Sequence, residues 1–181
     1  SNRAVAQADS EASSADKSTA AITMARLAER RDQTDQAKRL LQLAIDENPE
    51  ESVAIHRLAV IFAKEGNFDE ADTHFLRAIE LDPENAEILG DAGHFYYLSS
   101  VPDRAVELLT RAVELSPNSP RYSNNLAVVL GEQGEDENSL AMFRRGGSEA
   151  KAHANMGFVF AQRGDMDKAI DSYSQALTLD Q

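Results

Sequence analysis

The 181-residue chain has no cysteine and no tryptophan, only nine glycines and five prolines, and just 6% aromatic residues. Without cysteine there is no disulfide framework, no thiolate nucleophile and no sulfur-ligated zinc. That absence suits reducing and oxidising compartments alike. Basic residues are also scarce: 18 Lys and Arg stand against 31 Asp and Glu, a formal net charge of −13. The imbalance argues against nucleic acid and anionic membrane surfaces as partners, because both attract basic faces. No apolar run approaches the roughly 20 residues of a membrane-spanning helix, so direct membrane insertion is not expected. No glycine-rich phosphate loop, nucleophile elbow or metal-spaced histidine pair occurs. The four histidines, His56, His74, His94 and His153, are scattered, and the acidic run from Glu132 to Glu137 lacks calcium-loop spacing. An enzyme, a metal site and a cofactor are therefore not expected.

What remains is a chain rich in Ala, Leu and Glu, a helical composition, long enough for a buried core in one or two domains. It opens on Ser1-Asn2 rather than Met, which reads as a cut or processed fragment. Residues 1–17 are rich in Ala, Ser and acid, and read either as a tail or as an extra N-terminal helix driven by alanine.

From residue 18 the strongest signal is an internal period. Pro49, Pro83 and Pro117 lie 34 residues apart and close similar segments, Ala-Ile-Asp-Glu-Asn-Pro, Ala-Ile-Glu-Leu-Asp-Pro and Ala-Val-Glu-Leu-Ser-Pro. Taking those prolines as position 32 divides the chain into 18–51, 52–85, 86–119, 120–149 and 150–181. Position 8 then holds Ala25, Ala59, Gly93, Ala127 and Gly157. Position 20 holds Ala37, Ala71, Ala105, Ser139 and Ala169, and position 27 holds Ala44, Ala78, Ala112, Gly146 and Ala176. All fifteen are small, as close helix–helix approach requires. Each unit carries two amphipathic segments split by a turn such as Glu65-Gly66-Asn67 or Arg163-Gly164-Asp165. The glycine there supplies a left-handed cap. Asp69, Pro102 and Pro120 suit first helical turns. The fourth unit is four residues short and breaks at Gly146-Gly147-Ser148. That predicts a short second helix, then a new helix capped by Ser148.

This pattern resembles the tetratricopeptide (TPR) repeat family over residues 18–181. The second unit carries it best, with Ile55, Leu58, Ala59, Phe62, Ala71, Phe75, Ala78 and Pro83. The first unit is weaker, with Ala21 and Ala28 at usually bulky positions, and Ser123 and His153 depart at position 4 of the last two. The resemblance implies an all-α fold, an α-solenoid of about five antiparallel helix pairs winding as a right-handed superhelix. It also implies a non-enzymatic protein–protein interaction scaffold that binds a peptide or protein segment in a concave groove. Such a groove is lined by positions 2, 5, 6, 9, 12 and 13, the first helix of each pair. Six basic residues fall there (Arg26, Arg30, Arg57, Lys64, Arg121, Lys151) against four acids (Glu29, Glu87, Asp91, Glu132). A neutral to acidic peptide is therefore the expected partner; the alternative is that acids simply populate the solvated outer helices.

The candidate groove residues are His56, Arg57, Asp91, His94, Tyr97, Arg121, Asn124, Asn125, Lys151 and Asn155. An asparagine amide offers donor and acceptor together, so it can pair with a peptide backbone regardless of sequence. Gly90, beside His56, Asp91, His94 and Tyr97, either opens a side-chain-sized recess or serves close packing, and Arg57 is placed to pair with Asp91. The set of Lys, Asn and Arg that makes a chaperone-type carboxylate clamp is not present in any frame. A second resemblance concerns residues 125–131, 147–150 and 154–158 with the shortened fourth unit. These are similar to TPR proteins of bacterial Tad/Flp pilus assembly, and imply an envelope-associated, extracytoplasmic assembly subunit. In that reading the chain self-associates through its uncapped C-terminal end, where Leu177 and Leu179 are expected to be exposed.

Overall fold

The computed structural model describes residues 2–180, with side chains from residue 13 onward; among them are ten helices and no strand. The chain divides into two compact units, Ser1–Pro83 and Glu84–Gln181.

The first unit holds α1 (Asn2–Glu29), α2 (Thr34–Glu47), α3 (Ser52–Glu65) and α4 (Phe68–Leu81), paired as α1–α2 and α3–α4, with α2 packed on α3. Helix α1 runs through residue 17 without a break. Its upstream part is tied to the end of α2, where the Ser14 hydroxyl donates to the Glu47 carbonyl at 2.7 Å and Lys17 pairs with the Glu47 carboxylate at 3.6 Å. The core is a layer of alanines at close approach, filled between by Leu41, Leu58 and Ile61, with Phe75 fully buried on α4. Ala21 and Ala28 are buried too, so the first pair closes with small side chains where bulkier ones were the rule.

The second unit holds three hairpins: α5 (Ala86–Leu98) with α6 (Pro102–Leu115), α7 (Pro120–Glu132) with α8 (Asp136–Gly146), and α9 (Glu149–Arg163) with α10 (Met166–Leu179). Helix α7 leans on α6, and α9 on α8. The shortened fourth repeat behaves as its sequence implies. Helix α8 has only 11 residues, Gly147 is extended, and the Ser148 hydroxyl accepts from the Lys151 N–H at 3.3 Å to start α9.

Two local rules generate every hairpin. Between the paired helices one residue must turn left-handed. Gly66 does so at φ 79°, and the N–H groups of Gly66 and Asn67 close on the carbonyls of Ala63 and Phe62. Asp32 and Ser100 occupy the equivalent place at φ 57° and 61°, in a region that L-residues enter only at a cost. Between repeats, Asn48, Asp82 and Ser116 stop their helices, with φ of −140°, −141° and −132° and ψ of 96°, 75° and 71°, ahead of Pro49, Pro83 and Pro117. A residue before proline is held out of the helical region by the ring. Of the fifteen small positions, fourteen are buried and only Gly146 is partly open, so the period is a packing period. At Ser139 the hydroxyl donates to the Ala127 carbonyl at 2.7 Å, which leaves no orphan polar group in a dry contact.

Candidate partner-binding face

In the first unit the face falls on α1, the turn after it and α3. Arg57 on α3 makes a bidentate pair with Glu29 on α1, Nε and Nη2 donating at 2.9 and 2.8 Å. Arg26, Arg30 and Lys64 are exposed and form no ion pair among the described residues. His56 is buried beside Phe75, with ring centroids 6.1 Å apart, so it belongs to the core wall rather than to an open surface.

In the second unit the face falls on α5, α7 and α9. Asp91 accepts from Arg121 at 2.8 Å, and Arg121 lies over the Tyr122 ring at 4.8 Å. Arg57 and Asp91 each have an ion-pair partner inside their own unit. Tyr97 on α5 donates to Glu132 on α7 at 2.6 Å. Burial, reinforced by that hydrogen bond, pushes the Tyr97 hydroxyl up to about 12. The end of α9 is fastened to α7 by Arg163, which donates to the Gly131 carbonyl at 2.9 Å and pairs with Asp136 and Asp165.

At Gly90 the structure decides between the two readings, and at Asn124 it corrects one. Gly90 opens no recess: an added Cβ would run into the Tyr122 ring, so the missing side chain is replaced by an aromatic from the next repeat. Asn124 is turned away from its neighbour Asn125. Its amide packs under the end of α8, where a Cβ on Gly146 would collide with it, and its Oδ1 is buried without a hydrogen bond. Both pairings lie in the sequence as a small residue opposite a large or polar one. Only the register between helices reveals which partner fills which gap.

Three candidates do come together. His94, Tyr97 and Asn125 line one recess of about 80 Å³ whose floor is Leu109, Val128 and Val129. The His94 and Tyr97 rings stand 6.2 Å apart. Gly93 makes the floor possible, because any Cβ there would press on Leu109 at 2.7 Å. Val128, Val129 and Leu109 were not among the named site candidates, although Val128 falls at groove position 9 of its repeat. Asn155 sits at the same repeat position on α9 as Asn125 on α7. Both amides are half-buried and neither hydrogen-bonds to another described residue. Lys151, one turn before Asn155, is exposed and makes no ion pair. Phe158, one turn after it, is 54% exposed.

Stacked two-helix hairpins with small residues at every crossing define a helical-repeat protein. The chain belongs to the tetratricopeptide repeat family, whose models match residues 30–89, 62–129 and 150–181. Proteins of this family are in general non-catalytic scaffolds for protein–protein interaction. Among similar proteins is the type IV pilus assembly protein PilF of Pseudomonas aeruginosa, 33% identical over 101 residues, covering 55% of this chain and 40% of PilF. Anaphase-promoting complex subunit 3 of Schizosaccharomyces pombe is 26% identical over 150 residues, covering 81% of this chain and 23% of that protein. The chain thus spans 23% and 40% of the length of these two relatives. A solved structure of P. aeruginosa PilF superposes with a TM-score of 0.75 at 23% identity, over 92% of this chain and 78% of that one. That of YrrB, described as a TPR protein with an unusual peptide-binding site, gives 0.72 at 21% identity over 87% and 84%. At these identities the structural likeness speaks for the fold.

Proposed function

We propose that the chain holds an extended peptide segment of a partner protein across α5, α7 and α9, with Asn125 and Asn155 pairing to its backbone. The observation that carries this is the pair of equivalent, half-buried amides with no intramolecular hydrogen-bond partner. Half-buried polar groups are normally satisfied. Water can fill the role in the free protein, and a peptide N–H and C=O can replace it. The receptor helices are already fixed by their packing, so little of their freedom is lost on binding. Lys151 on α9, exposed and without an ion pair among the described residues, favours a neutral to acidic guest.

The test is a double substitution, Asn125→Ala with Asn155→Ala, assayed against peptides selected from a random decapeptide library on the unsubstituted protein. Affinity should fall at least tenfold while the thermal midpoint moves by no more than a few degrees. Unchanged affinity removes the reading.

A second reading, an assembly subunit of a pilus or secretion system that works by self-association, draws on the likeness to PilF. It draws also on the outer face of α10, where Ile170 is 63% and Leu177 71% exposed. An open depression lined by Ala150, Ala154, Tyr173 and Ala176 adjoins Leu177. In both α7 and α9 the first helix of a repeat covers the preceding hairpin, and a second copy would cover this one. Sedimentation velocity should then show a concentration-dependent oligomer that Ile170→Glu with Leu177→Glu abolishes. A monomer at all concentrations contradicts it.

A further inference from the structure

We infer that the recess between α5 and α7 selects a branched aliphatic side chain from the bound segment, with an acidic residue following on the α9 side. The inference rests on the peptide-holding reading and adds what that peptide must contain.

The volume sets the class of side chain. At about 80 Å³ the recess is roughly half the size of an engineered 150 Å³ cavity that binds benzene. Phenylalanine and tryptophan are therefore too large, and alanine leaves the floor unfilled. Valine, leucine and isoleucine match. The chemistry of the lining agrees. Leu109 and Val129 are fully buried and Val128 half-buried, so the floor has no polar atom from a side chain to satisfy. The lining also includes residues with polar groups, His94 and Tyr97 from α5 and Asn125 from α7. An amide at the lip of an apolar hole holds the backbone of the residue whose side chain enters it.

Charge sets the direction. Tyr97 and Asp91 already occupy Glu132 and Arg121 on this unit's face. Lys151 is the cation on α9 that lacks a partner among the described residues, and it lies one helical turn, about 5.4 Å, before Asn155. A peptide crossing from Asn125 to Asn155 passes near that ammonium, where a carboxylate is the complementary group.

The experiment is a selection from a random decapeptide display library on the full chain, run in parallel on Val128→Phe, which fills the recess. On the unsubstituted protein the selected peptides should carry Val, Leu or Ile at one fixed position, with Asp or Glu enriched to one side of it. Replacing that aliphatic residue by Ala in a synthetic selected peptide should weaken binding at least tenfold. Val128→Phe should erase the positional preference. Because an added ring can disturb packing, a second measurement uses the unsubstituted protein. A ¹³C-labelled Leu in the selected peptide should give nuclear Overhauser contacts to the methyl groups of Val128, Val129 and Leu109. Peptides that bind with no fixed aliphatic position, or whose labelled Leu touches none of these methyls, overturn the recess while leaving the peptide-holding reading in place. A library that yields no binders overturns both.

Discussion

The two units are built by one set of packing rules and present different chemistry. On α1, the turn after it and α3 the candidate face carries four bases and one acid, and its one ion pair among the described residues, Glu29–Arg57, leaves three cations open. On α5, α7 and α9 it carries two bases and three acids, two free amides and an apolar recess. The difference shows how a repeat divides its positions. Those at helix crossings are held to small residues by geometry, whereas those facing solvent on the first helices are free to diverge. One unit's face is weighted towards open positive charge, the other's towards unpaired amides and an apolar recess.

Substitutions can break or sharpen this contrast. The largest effects are expected in the cores. Phe75→Ala and Phe143→Ala each remove a fully buried ring and should cost about 3–5 kcal/mol. Hydrogen exchange should then accelerate chiefly in α1–α4 for the first and in α7–α10 for the second; equal acceleration everywhere would mean the units do not behave as separate bodies. Next is Gly90→Ala. It pushes a methyl group into the Tyr122 ring and should cost about 1–3 kcal/mol by chemical denaturation, with loss confined to the second unit. Smaller and opposite in sign, Asp32→Gly and Ser100→Gly should each stabilise their own unit by about 1 kcal/mol by relieving left-handed backbone, read as a raised denaturation midpoint.

The smallest effect is a titration. Tyr97 keeps its proton in the fold to about pH 12 against 10 for an ordinary tyrosine, so the folded state binds that proton more tightly than the unfolded chain. Its contribution to stability is complete below pH 10 and is lost as pH rises from there through 12. Glu132→Gln should lower the Tyr97 transition in ultraviolet absorbance only partway towards 10, because burial, the larger cause, remains.

Much of the fold was legible in the sequence because a period of 34 with small residues at three fixed places has few geometrical solutions. Ala59, Ala71 and Ala78 are buried without remainder, and Ser148 caps α9 where the Gly146-Gly147 break placed it. The face was legible only by position. Asn124 and Asn125 are adjacent and chemically identical in sequence, yet one is packed under α8 and the other lines the recess. A rotation of 100° per residue separates their directions, but what each direction meets depends on Gly146 in one case and Leu109 in the other. Gly90 likewise reads equally as a recess or as close packing until Tyr122, 32 residues later, is seen to fill the space. Partners for Glu29, Asp91 and Tyr97 are repeat neighbours, and no local pattern distinguishes them from other charges at the same distance.

The central claim is that the amides of the second unit hold the guest. It is tested most directly by recording side-chain amide and backbone resonances while a library-selected peptide is added. The Asn125 and Asn155 side-chain NH₂ signals should shift together, saturating at one concentration, with further shifts confined to α5, α7 and α9. Shifts that spare both amides and gather instead on α1 and α3, or on the outer face of α10, would contradict it.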